Sequence, residues 1–147
     1  MAKVIEIGIT KNSKELMQKV NSVEAVAGKG LINDRHFMEN NNKKSQITLI
    51  EIENINYYNQ ISLTFISPIS FRRNIITEGI RLNELINKEF LIGEIKVKGH
   101  DLCRPCKYLQ ESLKQKNLVK ELLHKGGLRC EILKGGKIFA GSEIRIL

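Results

Sequence analysis

The chain has 147 residues, 41% apolar and 27% charged, which is the size and balance of one globular domain with a single sizeable core. No apolar run approaches the ~20 residues needed to span a bilayer, and Met1-Ala2-Lys3-Val4-Ile5-Glu6 lacks the long apolar stretch of a secretory signal, so one cytoplasmic domain over 1–147, without a membrane partner, is expected. The net charge of +8 is lopsided: residues 1–95 hold 12 Lys and Arg against 11 Asp and Glu, and residues 96–147 hold 12 against 5.

Most of the chain reads as short strands. Val4–Thr10 and Val20–Val26 are rich in β-branched residues, and the second runs into the loop signal Gly28-Lys29-Gly30. After the polar stretch Asn40–Lys44, Gln46–Ile50 is a third strand, and Ile52, Ile55 and Tyr58 recur at helical spacing over 51–59. Asn74–Thr77 is a short strand, and Phe90–Gly99 is two strand pieces turned near Gly93. Leu109, Leu113, Leu118, Leu122 and Leu123 predict a helical pair over 106–113 and 118–124. Leu128–Leu133 is a strand, Gly135-Gly136 a two-residue hairpin signal, and Lys137–Ala140 and Glu143–Leu147 close the chain. Many short strands with few helices predict a mainly β domain, a barrel or sandwich.

The basic half points to an anionic partner, although Lys, Asn and Ile make up 51 residues, a bias that makes part of the Lys surplus plain solvated surface. With five Phe, three Tyr and no Trp, base stacking is disfavoured. There is no helix-turn-helix, zinc-finger, P-loop or Gly-x-Gly-x-x-Gly pattern, so no nucleic-acid partner is expected. Cys103, Cys106 and Cys130 are an odd set without a secretory signal, which argues against a disulfide framework.

The sharpest local feature is His100-Asp101-Leu102-Cys103-Arg104-Pro105-Cys106-Lys107. Pro105 suits a helix start. A thiol there meets free backbone N–H groups, with Arg104 and Lys107 beside it, and each favours the thiolate. Cys106 is thus a candidate nucleophile, sulfur carrier or soft metal ligand. Zinc held by the three cysteines with His100 or His124, and a redox Cys-x-x-Cys, are the competing readings. In Phe71-Arg72-Arg73-Asn74-Ile75, adjacent arginines on a strand point to opposite faces, so at most one serves a given site. Arg offers a planar fork to phosphate or carboxylate; by local pattern alone the pair is a surface feature. In Gly28-Lys29-Gly30-Leu31-Ile32-Asn33-Asp34-Arg35-His36, glycines flanking Lys29 permit a tight loop able to face an anion.

Taken in order, Val26–Leu31 with Asp34-Arg35-His36, Phe71–Ile75 with Glu78-Gly79, Leu91-Ile92-Gly93 with Arg104-Pro105-Cys106, and Gly126–Cys130 resemble the MOSC family. This is the domain found at the C-terminus of molybdenum-cofactor sulfurases and alone in small bacterial proteins. The resemblance implies a barrel-like β fold with a few short helices. It also implies association with molybdenum cofactor (molybdopterin) or sulfur-transfer chemistry. Cys106 matches the family's characteristic cysteine, which in some members is proposed to carry sulfur or ligate molybdenum. Arg72, Arg73 and Asn74 match its Arg-Arg-Asn motif, and with Lys29, Arg35 and Arg104 would hold the anionic cofactor. Asn33 stands where members often have Gly, and Asn is the usual non-Gly substitute at a positive φ. The implied partners are molybdenum-cofactor or sulfur-transfer proteins. Without a fused desulfurase, sulfur handling here would be independent of pyridoxal phosphate. A reductase of N-hydroxylated compounds, needing an electron-donor partner, and a non-catalytic cofactor carrier or chaperone are the alternative functions.

Overall fold

The computed structural model describes all 147 residues. Eleven strands form: β1 (Lys3–Ile9), β2 (Gln18–Val20), β3 (Ser22–Val26), β4 (Gly30–Leu31), β5 (Ile47–Glu51), β6 (Ile75–Glu78), β7 (Glu89–Ile92), β8 (Ile95–Leu102), β9 (Leu128–Lys134), β10 (Gly136–Phe139) and β11 (Ile144–Ile146). The helices are short: α1 (Ile52–Ser62), α2 (Lys107–Ser112) and α3 (Leu118–Glu121), with 3-10 turns at Pro68–Phe71 and Leu82–Leu85. No helix is long and apolar enough to cross a membrane.

The mainly β expectation holds, but the barrel does not close. Eight strands lie in one sheet in the order β11-β7-β8-β9-β5-β6-β1-β2, and three in another, β10-β3-β4. Pairing of β2 with Ile7–Ile9 occupies that part of β1. The start of β1 meets the approach to β11 through one bridge, Lys3 to Glu143, with Val4 N donating to Ser142 O at 2.8 Å and Ile144 N to Ala2 O at 2.9 Å. The ends of the sheet are tacked together without a ladder.

Two local expectations change with this topology. The stretch 20–26 is not one strand: the chain bends at Asn21, so β2 joins the large sheet and β3 the small one. Gly135-Gly136 is not a hairpin turn. β9 pairs with β8 and β5, whereas β10 pairs with β3, so the glycines mark where the chain passes from one sheet to the other. A Cβ at Gly135 would sit 2.5 Å from Ala25 O, closer than backbone allows.

The core has two parts. Between the sheets, Ile7, Leu31, Leu49, Ile75, Phe90 and Val97 are among a large buried cluster. On the helical side, Ile50 and Ile76 pack with Ile55 and Tyr58 of α1, Phe71, Leu109, Leu118 and Leu122. β5 and β6 are parallel neighbours covered on both faces, which is why Leu49-Ile50 and Ile75-Ile76 are consecutive buried apolar residues rather than an alternation. α1 makes the crossover between them.

Candidate anion-binding site

Beyond Leu102 the chain runs through Cys103-Arg104-Pro105 before α2 begins. Its path is fixed by the glycine pair ahead of β9. Gly127 has φ of +112°, and any Cβ there would collide with the Leu49 carbonyl oxygen, so only glycine fits. Cys103 N donates to Gly127 O at 2.7 Å, and Arg73 Nε donates to Gly126 O at 2.8 Å. These bonds gather the residues after Phe71, the end of β8 and the start of β9 around one opening.

That opening is a cavity of about 510 Å³ lined by Arg73, Arg104, Arg129, His36, Asp101, Ser45, Thr48, Leu102 and Cys103. Thr48, Arg129 and Asp101 come from adjacent strands in register: Thr48 pairs with Arg129, and Arg129 with Asp101. Arg129 is held by its own bonds, Nε to Lys44 O at 2.9 Å and Nη2 to Ser45 Oγ at 3.0 Å. Neither Arg73 nor Arg104 forms an ion pair; Arg129 Nε lies 3.9 Å from Asp101 Oδ1, too far for a hydrogen bond. Three arginines and one carboxylate thus line the opening.

Two buried side-chain atoms in the whole protein have no hydrogen-bond partner, His36 Nδ1 and Asp101 Oδ1. Both residues line this cavity. Buried polar atoms are normally paired, so the two exceptions, both on residues lining this hollow, make it the candidate site. Burial pushes the His36 imidazole below the ordinary 6.5; Arg35, Arg73 and Arg129 push the same way, against Asp34. The ring is therefore neutral at physiological pH.

The residues singled out from sequence divide sharply. Arg73 and Arg104 are in the cavity wall; Arg72 is not. Arg72 takes φ of +65° at the end of the Pro68–Phe71 turn. Its guanidinium donates to Glu15 O and Ser13 O, each at 2.8 Å, so it pins the 11–17 loop. Asn74 is fully buried. It accepts from Thr48 N at 3.1 Å and donates to Gly8 O at 3.1 Å, bracing β5 to β1. Arg35 donates to Arg72 O at 3.2 Å and Met17 Sδ at 3.3 Å, a brace behind the wall. Lys29, in the hairpin between β3 and β4, pairs with Glu39 at 2.7 Å and does not line the cavity. Asn33 does take the positive φ expected of it, +71°.

Cys106 is the N-cap of α2, its Sγ accepting from Leu109 N at 3.3 Å. It is the exposed thiol of the three and lies two residues past the cavity wall at Arg104, not among its lining residues. Burial raises the Cys103 thiol, against the pull of Arg73 and Arg129, and raises Cys130 well above its usual range. Both therefore remain neutral thiols. No three His, Cys, Asp or Glu side chains come together to hold a metal ion, so the cysteines with His100 or His124 do not form a zinc site; His100 instead meets Glu131 at 2.9 Å.

Sequence reasoning missed Arg129, Asp101 and His36 as a site. All three stood within motifs singled out above, but what joins Arg129 to Asp101 is strand register, which no local pattern displays.

The MOSC domain family model matches residues 33–145. Among solved structures, the YuaD protein from Bacillus subtilis superposes with a TM-score of 0.80 at 19% identity, covering 97% of this chain and 93% of its own. YiiM from Geobacillus stearothermophilus gives 0.80 at 15% identity over 100% of this chain and 75% of its own. YiiM from Escherichia coli gives 0.73 at 16%, over 100% and 70%. No curated protein matches the sequence. With the family model spanning most of the chain and the fold shared end to end, the protein belongs to the MOSC domain family.

Proposed function

We propose that the protein binds molybdenum cofactor, or an intermediate of it, as an anion in the Arg73, Arg104 and Arg129 cavity, and handles sulfur or metal through Cys106. The observation that carries the reading is that three arginines line one hollow together with His36 and Asp101, the two residues with unpartnered buried polar atoms. Family membership supports the choice of cofactor. The cofactor is a phosphate-bearing anion, and Arg forks form strong charge-assisted bonds to phosphate. When bound, it supplies a molybdenum centre that accepts soft ligands such as thiolate.

This chain's own residues divide the work. Arg73 and Arg129, fixed by bonds to Gly126 O, Lys44 O and Ser45 Oγ, are preorganised, so little side-chain entropy is lost when an anion arrives. Arg104, exposed and without an ion pair, closes on it. Cys106, exposed beside this wall, is the accessible thiol. The implied partners are proteins that deliver cofactor or sulfur.

The test is anaerobic loading of purified protein with molybdenum cofactor, followed by removal of free cofactor and measurement of molybdenum and phosphorus. Near-stoichiometric retention of both, with phosphorus kept but molybdenum lost in Cys106→Ser, supports the reading. No retention by the parent protein contradicts it.

A further inference from the structure

The cavity holds a feature that a plain anion site has no use for. Asp101 lies among the arginines, and its Oδ1 is buried without a partner. The groups that could have satisfied it are committed elsewhere. Arg129 Nε is 3.9 Å away and already donates to Lys44 O; its Nη2 donates to Ser45 Oγ. Lys44 Nζ stands 3.8 Å from the other oxygen, Oδ2. A carboxylate oxygen only accepts. Facing a fully ionised ligand it would be repelled and remain unpaired; facing a ligand that brings an N–H or O–H it would gain a charge-assisted bond.

We propose that Asp101 makes the cavity selective for anions that carry their own hydrogen-bond donor, with the anionic part against the arginines of the wall and the donor on the Asp101 carboxylate, which is 43% exposed there. His36 is the second reader. Its Nδ1 is turned toward Asp34 Oδ2 at 3.7 Å, and the neutral ring lines the cavity without adding charge. Monohydrogen phosphate and phosphate esters bearing an amine or ring N–H belong to the accepted class. Sulfate and molybdate, fully ionised at neutral pH, do not. This rests on the proposed function only in placing an anion in the cavity.

The experiment is equilibrium binding of inorganic phosphate and of sulfate at neutral pH and equal ionic strength, to the parent protein and to Asp101→Asn, whose amide supplies a donor in place of one acceptor. The parent should prefer phosphate by about tenfold or more, the worth of a hydrogen bond to a charged group. Asp101→Asn should abolish or reverse the preference. Comparing 2-aminoethyl phosphate with ethyl phosphate asks whether a donor on the organic part serves as well as one on the phosphate. Equal binding of phosphate and sulfate by the parent would overturn the selectivity while leaving an anion site in place. Failure of the parent to bind any of the four would overturn the selectivity and the anion reading together. The parent comparison stands whether or not the variant folds.

Discussion

The space between the two sheets and the cavity at the ends of β5, β8 and β9 are built from the same strands yet differ in how their groups are satisfied. Between the sheets, Leu49, Phe90, Val97 and Cys130 are fully buried, and even polar Asn74 and Gln46 have their bonds made, Gln46 Oε1 accepting from Ile132 N at 2.8 Å. At the cavity, cations are gathered without matching carboxylates and two buried atoms stay unpaired. The difference separates arginines that brace the fold away from the cavity from those that line it: Arg72 and Arg35 spend their donors on backbone or sulfur elsewhere, while Arg73, its Nε held by Gly126 O, and Arg104 stand at the opening.

The largest effect should come from breaking the interior. Phe90→Ala should cost about 3–5 kcal/mol of stability, the usual penalty for a buried aromatic, read as a lower denaturant midpoint. Anion affinity per folded molecule should be unchanged; a matching loss of affinity would merge the two regions. The next effect separates the neighbouring arginines. Arg73→Ala should weaken anion binding ~10- to 100-fold, the loss of a charge-assisted bond, and cost about 0.5–1.5 kcal/mol of stability through its bond to Gly126 O. Arg72→Ala should lose about 0.5–2 kcal/mol of stability through its two bonds to the 11–17 loop with binding kept.

Thiol labelling sharpens the contrast further. Cys106 is exposed, whereas burial holds Cys103 and Cys130 as neutral thiols. Alkylation of the native protein at neutral pH, mapped by peptide, should modify Cys106 alone, and Cys106→Ser should remove that phase. Labelling of Cys103 first would mean the cavity wall opens. The smallest effect is a pH dependence. Burial lowers the His36 imidazole in the folded state, so the unfolded chain takes up its proton first as pH falls through 6.5. Stability should then drop below that pH, down to the lower folded value. His36→Asn should flatten the drop, and a bound anion should lessen it by favouring the charged ring. No change in slope on substitution would place the titration elsewhere.

Much of this was legible in the chain itself. Apolar and β-branched runs located most strands within a residue or two, but they merged β2 with β3, missed β4 and ended β8 three residues early. Leucine spacing located α2 and α3, Pro105 placed Cys106 at a helix start, and Asn33 announced its left-handed turn. What was not legible depends on long-range pairing. The sheet exchange at Gly135-Gly136 looks locally like a hairpin, because glycines permit either geometry. Arg72 and Arg73 look alike until the left-handed backbone at Arg72 sends one guanidinium to the 11–17 loop and leaves the other at the cavity. Thr48, Arg129 and Asp101 become neighbours only through register between β5, β9 and β8.

The most direct test of the central claim is anaerobic titration of molybdenum cofactor into the parent protein, the Arg73→Ala/Arg129→Ala double variant and Arg72→Ala, side by side. A cofactor held in the cavity predicts saturable one-to-one binding by the parent and by Arg72→Ala, and loss of more than ~100-fold in affinity for the double variant. Equal affinity in the parent and the double variant, with both folded, would contradict it.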